Sequence, residues 1–244
     1  PEEEDERGQA ARNFVGALRT AISEARERPH GPTMFGIPQD VAEAAWIPWS
    51  AFVSARPRRS ETVVSEEDVR AAADLVAAAA RPLVLIDDYL LRYDGAKPTL
   101  AEFAARVGAP VLQVRYKRGA MLFERLTQED VPSFVGWLDP ASEHHRRLMS
   151  KADLLVTLED RNMYRRVVGD LPACQKLAIN SDAAKVRKNE YLGEDDTLIE
   201  GDPVAVLREL NQELARHGAE ADPGTWADSE DAERLGPVVE LEPR

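Results

Sequence analysis

The chain has 244 residues, 43% of them apolar, and a formal net charge of −13, which fits one large domain with a buried core. The acid excess argues against general binding to nucleic acids or anionic membranes, and no apolar run approaches the roughly 20 residues that cross a bilayer. Cys174, a single cysteine, allows no disulfide within the chain and no cysteine-based metal cluster. With an N-terminus unlike a signal peptide, these features predict a cytoplasmic protein in which Cys174 is a packing residue.

The negative charge is concentrated at the two ends. Residues 1–7 hold five acids and one base, and residues 219–244 hold eight acids and two bases. Of the 44 acids and 31 bases in the chain, 31 acids and 28 bases therefore lie between the ends. We expect a nearly neutral fold between solvated acidic tails at residues 1–8 and 217–244.

The first quarter of the chain predicts a helix, a turn, a strand and a connector. Apolar residues recur at helical spacing over residues 10–27, and Pro29 then ends the pattern. Residues 33–37 are a β-prone run closed by a proline. Residues 42–64 predict a connector, because prolines and clustered arginines interrupt any periodicity.

From Ser65 onward, predicted helices alternate with short apolar strands. Ser65 is a candidate N-cap for an alanine-rich helix, and residues 83–86 are apolar throughout, as in a strand buried on both faces. Further strands are predicted at residues 110–114, 154–158, 176–179 and 197–199, and further helices at 99–107, 141–150, 162–168, 182–188 and 203–215. This alternation predicts an α/β fold over residues 65–216, with a doubly wound, mostly parallel, six-stranded Rossmann-like sheet.

Eight short motifs follow one another in an order typical of one enzyme family. They are Gly-Pro-Thr-Met-Phe-Gly-Ile-Pro-Gln-Asp-Val at residues 31–41, Ala-Arg-Pro-Leu-Val-Leu-Ile at 80–86, Gly-Ala-Pro-Val at 108–111, glycine-marked turns at 117–119 and 134–136, Ala-Asp-Leu-Leu-Val at 152–156, Ile-Asn-Ser-Asp at 179–182 and Ile-Glu-Gly-Asp at 199–202. Their order resembles the central domain of thiamine diphosphate-dependent enzymes, the group of acetolactate synthase, pyruvate oxidase and benzoylformate decarboxylase. Residues 9–41 resemble the last helix and strand of that family's pyrimidine domain.

The resemblance implies that the chemistry resides in other domains. In the family, the pyrimidine domain supplies a glutamate that protonates the cofactor, and the diphosphate domain binds Mg²⁺ through Gly-Asp-Gly followed by an asparagine. Here Gly201 and Asp202 are followed by Pro203, and Gly-Asp-Gly occurs nowhere in the sequence. We therefore expect no catalytic or metal-binding residue in this chain. Thiamine diphosphate and Mg²⁺ would be bound only through partner chains that carry the two other domains, in an assembly that the family builds as an oligomer.

The resemblance also identifies a cleft in which some relatives hold FAD or ADP. Asp87 and Asp88 stand where those relatives have a glycine-rich turn, Glu159 stands where they have a glycine, and Asn180 and Asp182 occupy the positions of their Ile-Asp-x-Asp pattern. At an effective dielectric constant near 20, a carboxylate about 4 Å from a phosphate charge costs on the order of 4 kcal/mol. We therefore predict a degenerate nucleotide cleft that does not hold FAD.

Two pairs of neighbouring residues have a ligand-binding interpretation and a structural one. Asp87 and Asp88 follow a strand at the edge where open α/β sheets bind ligands, so one interpretation is a site for a cation or a hydroxyl-bearing ligand. Exposed acids that cap the next turn are the favoured interpretation. His144 and His145 suggest a metal pair, but adjacent helical side chains diverge by about 100°. A solvated helix face is favoured there, shared with Glu143, Arg146 and Arg147.

Two basic clusters and one aromatic cluster also have two interpretations. The basic clusters could contact phosphate, but surface charges that balance the acidic ends or a partner are favoured. The aromatic cluster either packs on the sheet domain or forms an interface, with equal support for both. The basic clusters are Arg56, Arg58, Arg59 and Arg161, Arg165, Arg166, and the aromatic cluster is Trp46, Ile47, Trp49 and Phe52.

Two functional hypotheses follow. In the first, the chain is a non-catalytic central-domain subunit or fragment of a thiamine diphosphate-dependent enzyme that acts on a 2-oxo acid, by carboligation or decarboxylation, as acetolactate synthase does. In the second, it is a stand-alone binding or scaffold module that keeps the fold without catalysis. A partner chain with pyrimidine and diphosphate domains would favour the first hypothesis, and tight binding of a ligand without a partner would favour the second.

Overall fold

A computed structural model describes residues 2–26, 32–43, 64–114, 125–161, 163–218 and 226. The chain divides into two compact units, residues 1–61 and 62–244. The connector clusters around Trp46 and Arg56 and the glycine-marked turn at residues 117–119 lie outside the described residues.

The first unit contains a long helix, α1 (Glu2–Arg26), and one helical turn, α2 (Gln39–Ala42). Helix α1 begins eight residues before the predicted start and therefore includes residues 2–8 of the predicted tail. The predicted strand at residues 33–37 is wrong, because this segment forms no ladder with any described strand. The Thr33 hydroxyl instead donates to the Ala21 carbonyl at 2.8 Å, and the Phe35 ring lies 5.7 Å from that of Phe14. Side-chain contacts therefore hold this segment on α1.

The second unit is built on a six-stranded sheet in which every neighbouring pair is parallel. The strand order is β3-β2-β1-β4-β5-β6, which confirms the predicted doubly wound fold. The strands are β1 (Pro82–Ile86), β2 (Val111–Val114), β3 (Phe134–Leu138), β4 (Leu154–Leu158), β5 (Gln175–Asn180) and β6 (Thr197–Glu200).

Strand β3 replaces the glycine-marked turn that was predicted at residues 134–136. Gly136 lies inside the strand with a φ of 132°, and the register with β2 shifts at this point, since Val111 pairs with Phe134 and Leu112 pairs with Gly136. A glycine within a strand often marks such a bulge, so the same residue is compatible with a turn or an irregular edge strand.

Four α-helices of the second unit begin at side-chain caps, and the cap of the first is the predicted Ser65. Ser65 accepts a hydrogen bond from the Asp68 amide at 3.0 Å, and Asp202 accepts from Val204 and Ala205 at 3.0 and 3.2 Å. The predicted helix at residues 162–168 is reduced to a single turn. The helices are α3 (Glu66–Ala78), a 3₁₀ helix (Asp88–Arg92), α4 (Ala96–Val107), α5 (Glu143–Lys151), α6 (Arg165–Val168), α7 (Ala183–Asn189) and α8 (Pro203–Arg216).

Apolar side chains cover both faces of the sheet. Along β1, Val84 and Ile86 join a cluster that includes buried residues of α3, α4 and α8, whereas Leu83 and Leu85 join a second cluster with buried residues of α5 and α6. Cys174 is partly buried against the second cluster, as expected for a packing residue.

Trp226 belongs to the second cluster although it lies in the predicted acidic tail. Its side chain is buried, and its indole N–H donates to the Pro82 carbonyl at 3.2 Å. The prediction of a solvated C-terminal tail is therefore wrong at this residue. Burial of the large indole surface is favourable, which explains why Trp226 packs on the sheet.

Candidate functional site

The candidate site lies at the carboxyl ends of β1, β4 and β5. Strand β1 is followed in the sheet by β2 on one side and by β4 on the other, so the strand order reverses beside it. Open α/β sheets bind ligands at such a switch point. The structure brings together five predicted residues there: Asp87 and Asp88 after β1, Glu159 after β4, and Asn180 and Asp182 at the end of β5.

Asp87 and Asp88 form a buried ion pair with Arg161. Both carboxylates are fully buried, and Arg161 donates to Asp87 Oδ1 from Nε at 3.1 Å and from Nη2 at 2.8 Å. Nη2 of Arg161 also binds the carboxylate of Asp88. The interpretation of these aspartates as exposed acids is wrong, and so is that of Arg161 as a surface charge, because both carboxylates are buried and share the Arg161 guanidinium.

The capping role predicted for the aspartates is confirmed for Asp87. Its Oδ1 accepts from the Tyr89 amide at 3.2 Å at the start of the 3₁₀ helix. The Arg161 guanidinium carbon lies 3.3 Å from the centroid of the Tyr89 ring, and that of Arg92 lies 4.8 Å from it. Tyr89 therefore holds cationic groups against its ring by cation–π contacts.

Glu159 adopts a glycine-like backbone conformation with a φ of 54°. A left-handed conformation costs a non-glycine residue about 1–2 kcal/mol, so the surrounding contacts must stabilise it. Its carboxylate accepts from the Ser181 amide at 2.7 Å and from the Tyr93 hydroxyl at 3.3 Å, and it pairs with Arg92 at 3.5 Å. The backbone thus keeps the conformation of the expected glycine, while the added side chain fills the space between strand ends.

Asp160 and Asn180 belong to a neighbouring polar cluster. The Asn180 amide donates to the Asp160 carbonyl at 3.0 Å, and its Oδ1 accepts from the Asp182 amide at 2.9 Å. Thr157 lies between Asp160 and Tyr191, with its hydroxyl 3.4 Å from Asp160 Oδ1 and 2.8 Å from the Tyr191 hydroxyl. Oδ2 of Asp160 is buried without a hydrogen-bond partner.

Burial dominates the electrostatics of this second cluster. It raises the pKa of Asp160 to about 6, because desolvation disfavours the carboxylate more than hydrogen bonds from Tyr191 and Asn180 favour it. Burial, and then the charge of Asp160, also raise the pKa of Tyr191. Asp182 plays a separate part, since its Oδ1 caps α7 by accepting from the Ala184 amide at 3.1 Å.

The arrangement does not fit a bound dinucleotide. A diphosphate in such a cleft needs free backbone N–H groups and close approach to the turn after β1. Here the amides of Tyr89 and Ser181 already donate to carboxylates, and the turn carries two buried negative charges. Among the residues that the structure describes, no cluster of three histidine, cysteine or acidic side chains could hold a metal ion.

Other predicted sites behave as structural groups. Glu143 and Arg146 are exposed as predicted, but His145 is half-buried and its Nδ1 accepts from the Asp139 amide at 2.9 Å. The interpretation of this helix face as solvated is therefore wrong at His145, because its imidazole accepts a backbone hydrogen bond from the turn after β3. Arg165 is exposed and pairs with Asp170, as expected for a surface charge.

Sequence reasoning missed the partners of the predicted acids. Arg92, Tyr93 and Tyr191 were assigned no role, although each contacts a charged residue or polar cluster of the cleft. One available signal was charge balance, since Asp87 and Arg161 follow the ends of two strands that a doubly wound sheet places side by side.

The sequence model for the central domain of thiamine pyrophosphate enzymes matches residues 69–210, more than half of the chain. The chain belongs to this family. The family uses thiamine diphosphate, and the match covers β1–β6 and most of the helices around them. A search of curated proteins found no match.

Solved structures of thiamine diphosphate enzymes share the fold of this central domain. An enzyme of Mycobacterium smegmatis described as thiamin diphosphate-dependent is 23% identical, with a TM-score of 0.62 over 84% of this chain. The 4-hydroxybenzoylformate decarboxylase of Rhodococcus jostii RHA1 is 17% identical, with a TM-score of 0.61 over 87%. Benzoylformate decarboxylase of Polynucleobacter necessarius is 19% identical, with a TM-score of 0.61 over 86%.

The chain spans 37–39% of the length of these three proteins: 38% of the first, 39% of the second and 37% of the third. At these identities the likeness establishes the fold of the central domain. In the described part of the chain, none of the helices is long and apolar enough to cross a membrane.

Proposed function

We propose that this chain is the non-catalytic central domain of a cytoplasmic thiamine diphosphate-dependent enzyme that acts on a 2-oxo acid by decarboxylation or carboligation. The observation that carries the proposal is the family match over residues 69–210 in a chain that spans 37–39% of the length of its structural neighbours. The two named decarboxylases among those neighbours support a 2-oxo acid as the substrate class. Pyrimidine and diphosphate domains supplied elsewhere would bind thiamine diphosphate and Mg²⁺.

The cleft supports a structural role for this domain within the enzyme, without FAD. The amides of Tyr89 and Ser181 donate to Asp87 and Glu159, so the strand ends present these donors to side chains of the chain itself. Two further carboxylates, Asp88 and Asp160, are buried beside them. We propose that the domain holds the catalytic domains in place and takes no part in the reaction.

The first unit supplies the surface for a pyrimidine-domain partner. Met34 is 97% exposed and Ile37 is 47% exposed, in a segment that resembles the end of a pyrimidine domain and pairs with no described strand. Exposed apolar side chains on an unpaired segment are typical of a surface that another polypeptide covers. We propose that residues 32–38 contact the remaining part of a pyrimidine domain, in the same chain or in another copy of an oligomer.

Complementation tests this proposal. The chain is mixed with a second polypeptide carrying a pyrimidine and a diphosphate domain, and 2-oxo acid turnover and co-elution are measured with thiamine diphosphate and Mg²⁺ present. We expect turnover only in the mixture, and weaker association for Met34→Asp than for the matched exposed variant Glu43→Gln. Turnover by the isolated chain, or no association with any such partner, would contradict the proposal.

The second candidate function is a stand-alone binding or scaffold module. The pairing of Arg161 with Asp87 and Asp88 favours it, because side chains of the domain itself, and no ligand, bind this guanidinium. Stable monomeric behaviour beside the candidate partner would support the module over the split enzyme.

A further inference from the structure

The amino end of β1 has a carbonyl group that the neighbouring strand does not satisfy. In a parallel sheet, successive residues of a central strand direct their backbone polar groups alternately to the two neighbouring strands. The Val84 amide donates to the Pro110 carbonyl, on the β2 side, at 3.0 Å. The Arg81 carbonyl accepts from the Asp153 amide, on the β4 side, at 3.2 Å. The Pro82 carbonyl, two residues before Val84, therefore points toward the start of β2.

Among the described residues at the start of β2, no backbone N–H is available to this carbonyl. The parallel register makes residue 110 the ladder donor for the Pro82 carbonyl, but residue 110 is a proline and has no N–H. The Ala109 amide donates to the last turn of α4 at 2.9 Å, and the Val111 amide donates to the residue before β3 at 2.9 Å. Since Pro82 is buried, its carbonyl needs a donor from elsewhere in the chain.

Trp226 supplies that donor. Its indole N–H donates to the Pro82 carbonyl at 3.2 Å, and its side chain is 7% exposed. The ring belongs to the second apolar cluster, together with Leu83 and Leu85 of β1 and Leu148 of α5. The amino end of β1 thus offers the two things that a buried indole requires, which are apolar surroundings and an acceptor for its N–H.

Trp226 lies on the opposite face of the sheet from the helix that precedes it. Helix α8 packs in the first apolar cluster through Leu207, Leu210 and Leu214, and it ends at Arg216. Trp226 belongs to the second cluster, on the other face. The chain therefore changes face between the end of α8 and Trp226, and the indole holds it at its new position.

We infer that the amino end of β1 is a binding site for an indole, which Trp226 occupies as an anchor for the C-terminal segment. The ring N–H takes the place of the ladder donor that Pro110 lacks. The site lies at the amino edge of the sheet, opposite the candidate cleft, and takes a bicyclic aromatic group that carries an N–H donor. The inference is independent of the proposed function, because every readout below uses this chain alone.

The first test is a double-mutant cycle in the full chain, measured by urea unfolding. Trp226→Phe keeps an aromatic ring and removes the N–H, whereas Pro110→Ala restores an N–H that the ladder register directs at the Pro82 carbonyl. We expect the loss in the folding equilibrium constant caused by Trp226→Phe to be about tenfold smaller in the Pro110→Ala background than in the wild type. Pro132→Ala, at an exposed proline, is the matched control and should leave the effect of Trp226→Phe unchanged.

The second test supplies the ring from solution. Trp226→Ala removes the buried ring, and its thermal midpoint is measured with indole and with benzofuran, which has the same bicyclic shape without the N–H. We expect about 1 mM indole to raise the midpoint by about 4 °C for a dissociation constant of about 0.1 mM, and benzofuran to give less than half that gain. The wild type, whose site is filled, should gain less than about 1 °C with either compound.

Three results would overturn the inference: an equal effect of Trp226→Phe with and without Pro110→Ala, an equally large coupling to Pro132→Ala, or a gain from indole no greater than that from benzofuran. If Trp226→Ala does not fold in plain buffer, it is refolded from urea with each compound. Greater recovery with indole than with benzofuran then supports the inference, and the lack of that difference overturns it.

Discussion

Replacing Asp160 with asparagine should make the protein more stable at neutral pH. Asp160 is buried at the end of β4, and its Oδ2 has no hydrogen-bond partner. Desolvation raises the pKa of this carboxyl from the ordinary 3.8 to about 6. The folded protein therefore binds a proton on Asp160 more tightly than the unfolded chain does.

The sign and size of the effect follow from proton linkage. Between about pH 4 and pH 6 the folded state holds the proton and the unfolded state has released it, so stability falls as the pH rises through this window. A tenfold change in proton affinity corresponds to about 1.4 kcal/mol, and the raised pKa of Asp160 therefore costs about 3 kcal/mol above pH 6. Asparagine has nearly the same shape and no charge. We expect Asp160→Asn to gain about 2–3 kcal/mol at pH 8 and nothing near pH 4.

Urea unfolding followed by circular dichroism, at several pH values from 4 to 8, measures this difference. Asp170→Asn is the matched control, because Asp170 is exposed and an exposed ion pair contributes at most about 1 kcal/mol. The reasoning is refuted if the difference between Asp160→Asn and the wild type does not change with pH. It is also refuted if the wild type is the more stable protein at pH 8.

Variants at three further positions test the fold around the site. Trp226→Ala should lower the free energy of unfolding by about 3–5 kcal/mol, since the indole is buried on the sheet, and a loss below about 1 kcal/mol in urea unfolding would show that the contact is not formed. Glu159→Gln should lower the free energy of unfolding by about 3 kcal/mol, because it leaves Arg92 poorly compensated. Glu159→Gly relieves the left-handed backbone strain but also removes the carboxylate, so it should remain less stable than the wild type. Equal stability of Glu159→Gly and the wild type in urea unfolding would contradict the role of the carboxylate. Gly169→Ala should cost about 1–3 kcal/mol, because φ is +78° and a Cβ atom would lie 2.9 Å from Pro140 Cβ; a thermal midpoint unchanged from wild type would refute this.

The elements that could be predicted are those with local signals. Strand β1 is an uninterrupted apolar run, and β4 is apolar except for Thr157. Ser65 and Asp202 are capping residues next to helix-forming sequence. These signals depend on a few neighbouring residues, so they survive without knowledge of the fold. Strand β3 was missed because Gly136 at its centre is compatible with a turn as well as with an irregular edge strand.

The site was predicted in its position and missed in its contacts. The resemblance to the family placed Asp87, Glu159 and Asn180 in one cleft, and the structure brings these three residues together at the carboxyl ends of β1, β4 and β5. Their burial was not predicted, since isolated acids in a loop are usually exposed. Trp226 was missed for a related reason, because a tryptophan in a polar, acidic stretch of sequence gives no sign that it is buried.

The sequence by itself determined the fold class, the family and the strand ends at which the acids lie. Apolar periodicity and motif order depend only on the order of residues along the chain, so they can be recognised without the structure. Only the tertiary structure decided which charges meet. Arg161 reaches Asp87 and Asp88 across more than 70 positions of sequence, and Ser181 donates to Glu159 across 22. Compensation of a buried charge depends on distance in space, so the closure of the cleft by its own carboxylates was decided by the folding of β1, β4 and β5 into one sheet.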